Sequence, residues 1–418
     1  MSSPRPRSAG SIPSFVSDEA KDSLEMAQTL SVLEHETRQQ LRSAPLALQI
    51  GIQYGGGGEG RVIAELLKFL PGAGFRARGA VAEPDDVEQI TDGKVLSFAP
   101  TGATKLFRFR GARRKLVRLL EEDRPDIVAS HFALYALPIY DKISSFRLVT
   151  HFHGPWGAES AQDGAGNWAA SARAMAEKCL YLRSARVIVL SRAFAHLASE
   201  RYHVDPDKVR IVPGCVDVER FNVEIPQSAA RDRLGLPKDR PILLSVRRLV
   251  RRMGLSELIA ALKIVVDHVP DVLLCIAGRG LLRPELERLT CERGLTNHVR
   301  FLGFVNDEDL PYLYRAADIN VVPSVALEGF GLVAAESLAA GVPAMVTRVG
   351  GLPEVVSGLS PDLIFDSARA EDLAARLTAA LLGYLHLPGR RECTDYARTN
   401  FRSELMAERI AAVYREIQ

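Results

Sequence analysis

From residue 46 onward, short and nearly unbroken apolar runs alternate with longer segments whose apolar residues recur every three or four positions. LALQIGIQY (46–54) reads as a strand, and GGGGEGRVIAELLKFL (55–70) as a glycine turn opening a helix. VLSFAP (95–100) is a strand, KLFRFRGARRKLVRLLEED (105–123) a basic helix and PDIVASH (125–131) another strand. FRLVTHFHG (146–154) and ARVIVLS (185–191) are further strands with a helix between them. A second series starts at PILLSV (241–246) and continues through VLLCIAG, VRFLGF, INVVPS and PAMVTR. Strands buried on both faces lose the polar alternation, so this pattern predicts parallel, doubly wound sheets. Residues 209–240, rich in proline and turn residues, read as a hinge between the two series. The expected class is α/β, with two Rossmann-like domains at 45–222 and 223–395 facing a cleft.

Length supports two domains, since 418 residues exceed one ordinary core. Apolar content of 47% and charged content of 25% suit globular, soluble domains. No apolar run reaches about 18 residues, so no transmembrane helix is expected, and the N-terminus lacks the apolar centre of a secretory signal. Residues 1–44 form a separate extension. Its first fifteen, rich in Ser, Pro and Arg, read as disordered, and Asp18 to Arg42 as a charged helix. The five cysteines show no C-x-x-C spacing and suit reduced thiols of a cytoplasmic protein. A net charge of +2 gives no reason to expect a nucleic-acid partner.

The most informative chemistry lies in Glu328-Gly329-Phe330-Gly331-Leu332-Val333-Ala334-Ala335-Glu336, directly after the strand that ends at Pro323-Ser324. Strand, glycine turn and helix would present backbone N–H groups and a helix N-terminus to an anion. With Glu328 at the mouth of the turn and Glu336 on the helix behind it, the site suits a nucleotide-sugar. This spacing, the preceding VPS and the following AAGVPAMVTRVGGLPEVV resemble the retaining GT-B glycosyltransferases of the GT4-type (group 1) family, over most of residues 46–418.

The resemblance implies transfer of a sugar from a nucleotide-diphosphate donor to an acceptor hydroxyl, without a cofactor. It implies that Glu336 holds the ribose and that Glu328, with the backbone of Gly329, Phe330 and Gly331, holds the donor sugar. Leu332 and Val333 would offer amides to the diphosphate. Gly278 and Gly280 resemble the family's G-x-G loop near the nucleotide. Phe304 lies in the segment whose backbone reads the base. The last helix, within 396–418, is expected to cross back to the first domain. Arg248 matches the arginine of the family's G-R-L…K-G segment, whose lysine position is Met253. Arg252 is the expected substitute, and a chain without one would be a weakened nucleotide-sugar-binding protein. Guanidinium groups suit phosphate because they donate in pairs and stabilise charge building on a leaving group. No D-x-D falls at a strand end, so no metal is expected.

Gly55–Gly60 also satisfies G-x-G-x-x-G, with Glu83 following as a dinucleotide site requires. No hydride-transfer constellation accompanies it, and Gly58 is instead assigned to the donor. His153-Gly154 matches the family's strand-end His-Gly near the reacting centre, which makes His153 a catalytic candidate with Glu328 and Arg248. His131 and His151 are read as structural. His151 and His153 are expected to point to opposite faces of their strand, which argues against a joint metal site. Trp156 could stack on a sugar or pack under its loop. Glu354 reads as a helix-start charge. The helix carrying Arg108, Arg110, Arg113, Arg114, Lys115 and Arg118 is either a solvated face or a peripheral dock on the inner face of a membrane, serving a lipid-linked sugar acceptor. Surface polysaccharide or glycolipid synthesis is the expected setting. The same fold also hosts nucleotide-sugar epimerases, and paired carboxylates also serve glycosidases.

Overall fold

The computed structural model describes residues 43–98, 105–162 and 166–418, and the expectations for residues 1–42 fall outside them. The first sheet has seven parallel strands in the order β3-β2-β1-β4-β5-β6-β7. They are β1 (Leu46–Gln53), β2 (Arg76–Glu83), β3 (Val95–Ser97), β4 (Ile127–Ser130), β5 (Arg147–Phe152), β6 (Arg186–Val189) and β7 (Val209–Ile211). Its longer helices are α1 (Gly57–Phe69), α2 (Lys105–Asp123), α3 (Trp156–Gln162), α4 (Asn167–Arg183) and α5 (Arg192–Tyr202). The second sheet has the order β10-β9-β8-β11-β12. It comprises β8 (Ile242–Val246), β9 (Leu273–Ala277), β10 (Val299–Gly303), β11 (Ile319–Val322) and β12 (Ala344–Val346).

Both strand orders reverse direction beside the first strand of the series, β1 in one lobe and β8 in the other. At such a reversal the flanking connections leave on opposite faces of the sheet and open a crevice at the carboxyl ends of the strands. Each lobe thus has its crevice at the place where the glycine turns follow β1 and β11. Two strands differ from the sequence reading. Arg76–Glu83, which has no apolar run to mark it, is a full eight-residue strand paired with β1 along its length. Residues 209–211, placed in the hinge, complete the first sheet by pairing with β6.

The second lobe buries one large cluster of aliphatic side chains around β8, β9 and β11. Its helices include α6 (Gln227–Arg233), α7 (Leu255–Val266), α8 (Arg283–Glu292), α9 (Leu310–Ala316) and α10 (Leu332–Ala339). After α11 (Leu352–Val356) and α12 (Ala370–Leu381), the chain forms α13 (Arg390–Phe401) and α14 (Ser403–Arg415). Phe401 belongs to the second lobe's core, whereas Met406, Ile410 and Tyr414 pack with Ala47, Leu66 and Val149 of the first. The chain therefore crosses between lobes at Arg402, where φ −62° and ψ 149° break the helical path. Burying an aliphatic side chain contributes roughly 1.5–3 kcal/mol, so α14 ties the lobes together by ordinary packing.

Candidate functional site

Residues at the carboxyl ends of both sheets line one cavity of about 560 Å³, within the range of small-molecule sites. The first lobe supplies Gly58 and Glu59 at the start of α1, His131 after β4, and His153 and Trp156 after β5. The second supplies Arg247, Arg248, Arg252 and Met253 after β8, and residues 327–333 after β11. A broader surface depression between Leu120 and Arg147 lies at the opposite, amino-terminal edges of β4 and β5.

Glu328 is held by Arg247, not by Arg248. The Arg247 guanidinium is buried and donates to Glu328 Oε2 at 2.5 Å, while Ser324 Oγ donates to the same oxygen at 3.0 Å. Burial alone would raise the Glu328 pKa. The charge and hydrogen bonds of Arg247, with help from Ser324 and Arg252, outweigh it and hold the carboxyl below its ordinary value. Glu328 is thus an anion at neutral pH. Arg247 Nη1 is buried without a hydrogen-bond partner among the described residues, while its other edge rests on the Met253 sulfur. Arg248, the residue that matches the family pattern, is exposed at the rim. Gly278 and Gly280 do not line the cavity. A Cβ on Gly278 would fall 1.8 Å from the Arg247 carbonyl oxygen, so these glycines let β9 run close enough to seat the 247–249 segment.

Arg252 is buried as well. Its Nη1 donates to Leu327 O at 3.0 Å, and its Nη2 lies 3.3 Å from Glu159 of the first lobe. Leu327 has φ +52°, a left-handed conformation that costs a leucine energy, and the Arg252 contact braces it beside Glu328. Gly331 (φ +89°) then opens α10; a Cβ there would meet Leu352 at 2.4 Å. Leu332 and Val333 therefore sit at a helix N-terminus with the cavity in front of them.

Glu336 lies behind this turn and is already occupied. Tyr314 donates to its Oε2 at 2.8 Å, and Arg61 of α1 donates to its Oε1 while also reaching Asp307 at 3.0 Å. Burial raises the Glu336 pKa against the opposing pull of Arg61 and Tyr314. Glu354 is more than a helix-start charge, because its Oε1 accepts from the Arg192 N–H at 2.9 Å and so caps α5 of the other lobe. Phe304 is exposed, with Arg279 stacked over its ring. Glu83, the candidate ribose carboxylate of a dinucleotide site, is paired with Arg108 at 2.8 Å.

The histidines correct one expectation. Alternate residues of a strand share a face, and the His151 and His153 rings lie on the same side with His131 against both. His131 Nδ1 lies 2.9 Å from His153 Nε2, and His131 Nε2 lies 2.8 Å from Gln49 Oε1. Because the amide oxygen can only accept, His131 carries its proton on Nε2. His153 must then donate from Nε2, leaving its Nδ1 as the free lone pair. Burial lowers all three pKa values, that of His153 to about 4, so the relay is neutral. The three side chains bring ligand atoms within 4.8 Å of one another. The His131 and His151 rings, however, are stacked with centroids 4.1 Å apart and planes at 17°, so their in-plane lone pairs do not converge on one ion.

Two parallel-sheet lobes meeting over a cavity at their strand ends define a GT-B architecture. A family model for Glycosyltransferase Family 4 matches residues 56–220, and one for Glycosyl transferases group 1 matches residues 226–400. A D-inositol 3-phosphate glycosyltransferase of Streptomyces scabiei is 34% identical over 232 residues, covering 50% of this chain and 52% of the relative. The chain spans about half the length of the curated relatives it matches. Anabaena HepE, solved with UDP and glucose, superposes with a TM-score of 0.73 at 20% identity over 88% of this chain and 99% of that one. WaaG, a glycosyltransferase involved in lipopolysaccharide biosynthesis, superposes at 0.68 with 19% identity, over 88% of this chain and 98% of that one. The chain belongs to the GT4-type group 1 glycosyltransferase family.

Two outcomes follow from the buried charges. Arg247→Met should cost about 3–5 kcal/mol in urea unfolding because Glu328 is left unpaired, Arg247→Met with Glu328→Gln should recover much of that, and Arg248→Met should stay within about 0.5 kcal/mol. Burial raises the Glu59 carboxyl from 4.5 to about 8, only partly offset by the Ile52 N–H. The native state thus keeps a proton the unfolded chain releases, and stability falls as pH rises between these values. Glu59→Gln should raise the melting temperature more at pH 8.5 than at pH 5, which a pH series of thermal melts would read.

Proposed function

We propose that the protein transfers a sugar from a nucleotide-diphosphate-sugar to an acceptor hydroxyl with retention of anomeric configuration. The carrying observation is the ionised Glu328 on a buried Arg247 whose Nη1 has no hydrogen-bond partner among the described residues, at a glycine turn leading into a helix N-terminus. The diphosphate lies against the amides of Leu332 and Val333, with Arg247 and Arg252 beside it and Arg248 at the rim. Fixed guanidiniums and a helix terminus stabilise charge as it grows on the leaving diphosphate, with no reorganisation and no metal in the scheme. Glu328 holds the donor-sugar hydroxyls. His153 presents its Nδ1 lone pair to a sugar hydroxyl, its tautomer set by His131.

Retention then follows from attack on the face the diphosphate leaves. The acceptor oxygen bonds to the anomeric carbon as the carbon–oxygen bond to the phosphate breaks, and the acceptor's proton passes to the departing phosphate oxygen. The acceptor is a sugar or a lipid-linked sugar in polysaccharide or glycolipid assembly, a setting supported by the involvement of WaaG in lipopolysaccharide biosynthesis.

Met253 is the departure from the family pattern that would favour a weakened binding protein. Arg247 answers it: it occupies the glycine position of G-R-L and brings a buried cation against the Met253 sulfur, on Glu328. The ribose binds Glu336 by displacing Arg61.

Thermal-shift binding against UDP-, GDP- and ADP-sugars tests this reading. One donor should stabilise the protein, Glu336→Gln should abolish the shift, and Arg61→Ala should enlarge it by freeing the carboxylate. No shift with any of these donors, or an unchanged shift in Glu336→Gln, would overturn the assignment.

A further inference from the structure

The basic helix singled out in the sequence is largely neutralised. In α2, Arg108 pairs with Glu83, Arg113 with Asp141, Arg118 with Glu122, and Lys115 with Glu88 and the Ser97 carbonyl. Helix α4, packed in the same layer through Leu180, is different. Its inner face buries Ala170, Glu177, Leu180 and Tyr181. Its outer face carries a second apolar line: Trp168, Ala172, Met175, Cys179 and Leu182, all exposed. Their spacing of four, three, four and three places them on one straight stripe about 21 Å long. Trp168 is 85% exposed, Met175 61% and Leu182 45%. Among the described residues these positions stay exposed, and five aligned apolar positions are not the scattered surface residues expected of a monomer.

We propose that the outer face of α4 docks on an anionic lipid surface. The stripe is flanked by Lys178 and Arg183, one on each side, and among the described residues neither pairs with a carboxylate. Arg183 stacks over Tyr140 at 4.6 Å, which orients it while leaving its charge intact. The helix's one carboxylate, Glu177, is buried and taken by the Trp156 and Gly157 amides and two tyrosine hydroxyls. A second copy of this helix, in either direction, would set basic flank against basic flank. An anionic bilayer instead matches both parts: lipid headgroups meet the basic residues, and the stripe enters the acyl boundary with Trp168 at the interface. Exposed Phe109, Arg110 and Arg114 of α2 extend the same layer. Because Glu177 also fixes Trp156 at the cavity wall, docking would bring the cavity close to a membrane-borne acceptor. The docking inference itself does not depend on the sugar-transfer reading.

The test is co-sedimentation of the full chain with vesicles of phosphatidylcholine alone and of phosphatidylcholine with phosphatidylglycerol. Binding is expected only to the second, weakening with salt. Met175→Glu and the uncharged Met175→Gln should each cut the bound fraction, the former about tenfold, at unchanged melting temperature. Tyr384→Glu, at a site 79% exposed in the other lobe, should leave binding intact. No binding, equal binding to both vesicles, or full binding by Met175→Glu would overturn the proposal. So would a wild-type dimer in light scattering that Met175→Glu dissolves, which would give the stripe to a second copy.

Discussion

A guanidinium removed from water must be matched by an anion or by well-placed acceptors, and the placement of Arg247 imposes that demand on everything around it. Its charge keeps Glu328 ionised against burial. Its seat requires Gly278 where any side chain would collide with the backbone. Its flank requires an uncharged neighbour, and Met253 supplies one: a lysine ammonium there would place two buried cations in contact. Met253, at the position where the resembled pattern has lysine, and the buried Arg247 against its sulfur therefore form one arrangement.

The lobes are joined by contacts of a different kind. Packing of Met406, Ile410 and Tyr414 on the first lobe is permanent in character, since it buries apolar surface. The pairs Arg61 with Glu336 and Arg252 with Glu159, and the cap that Glu354 places on α5, are polar and lie around the cavity. Polar contacts lose less than apolar ones when water or a ligand replaces a partner, so these are the contacts a ligand in the cavity can exchange. Tyr414 belongs to both systems: besides packing, its hydroxyl lies 3.2 Å from His151 Nε2 and accepts from Gln49 Nε2 at 3.3 Å, next to the relay behind His153.

Much of the fold was legible because buried parallel strands announce themselves as apolar runs. The parts that were not legible have specific causes. Arg76–Glu83 owes its strand state to pairing with β1 and not to its own residues, and Val209–Ile211 is three residues amid turn signals. The glycine turn after β11 was readable, and its residues do line the cavity. Which of two adjacent arginines turns inward was not readable, because both faces of β8 are buried and parity carries no polarity signal. The Arg61 pair joins residues 275 positions apart, beyond any local pattern. The shared face of His151 and His153 was available from strand geometry alone. Only the insertion of His131 from the neighbouring strand needed the structure.

The most direct test of the Arg247 account is a charge swap read by calorimetric titration with the donor that stabilises the wild type. Arg247→Gly should weaken donor binding by at least about tenfold, and adding Met253→Lys to it should restore affinity to within a few-fold. Met253→Lys alone should not improve binding and should lower the melting temperature. Wild-type affinity in Arg247→Gly, or a double variant no better than the single, would contradict the claim that Arg247 carries the site's buried charge.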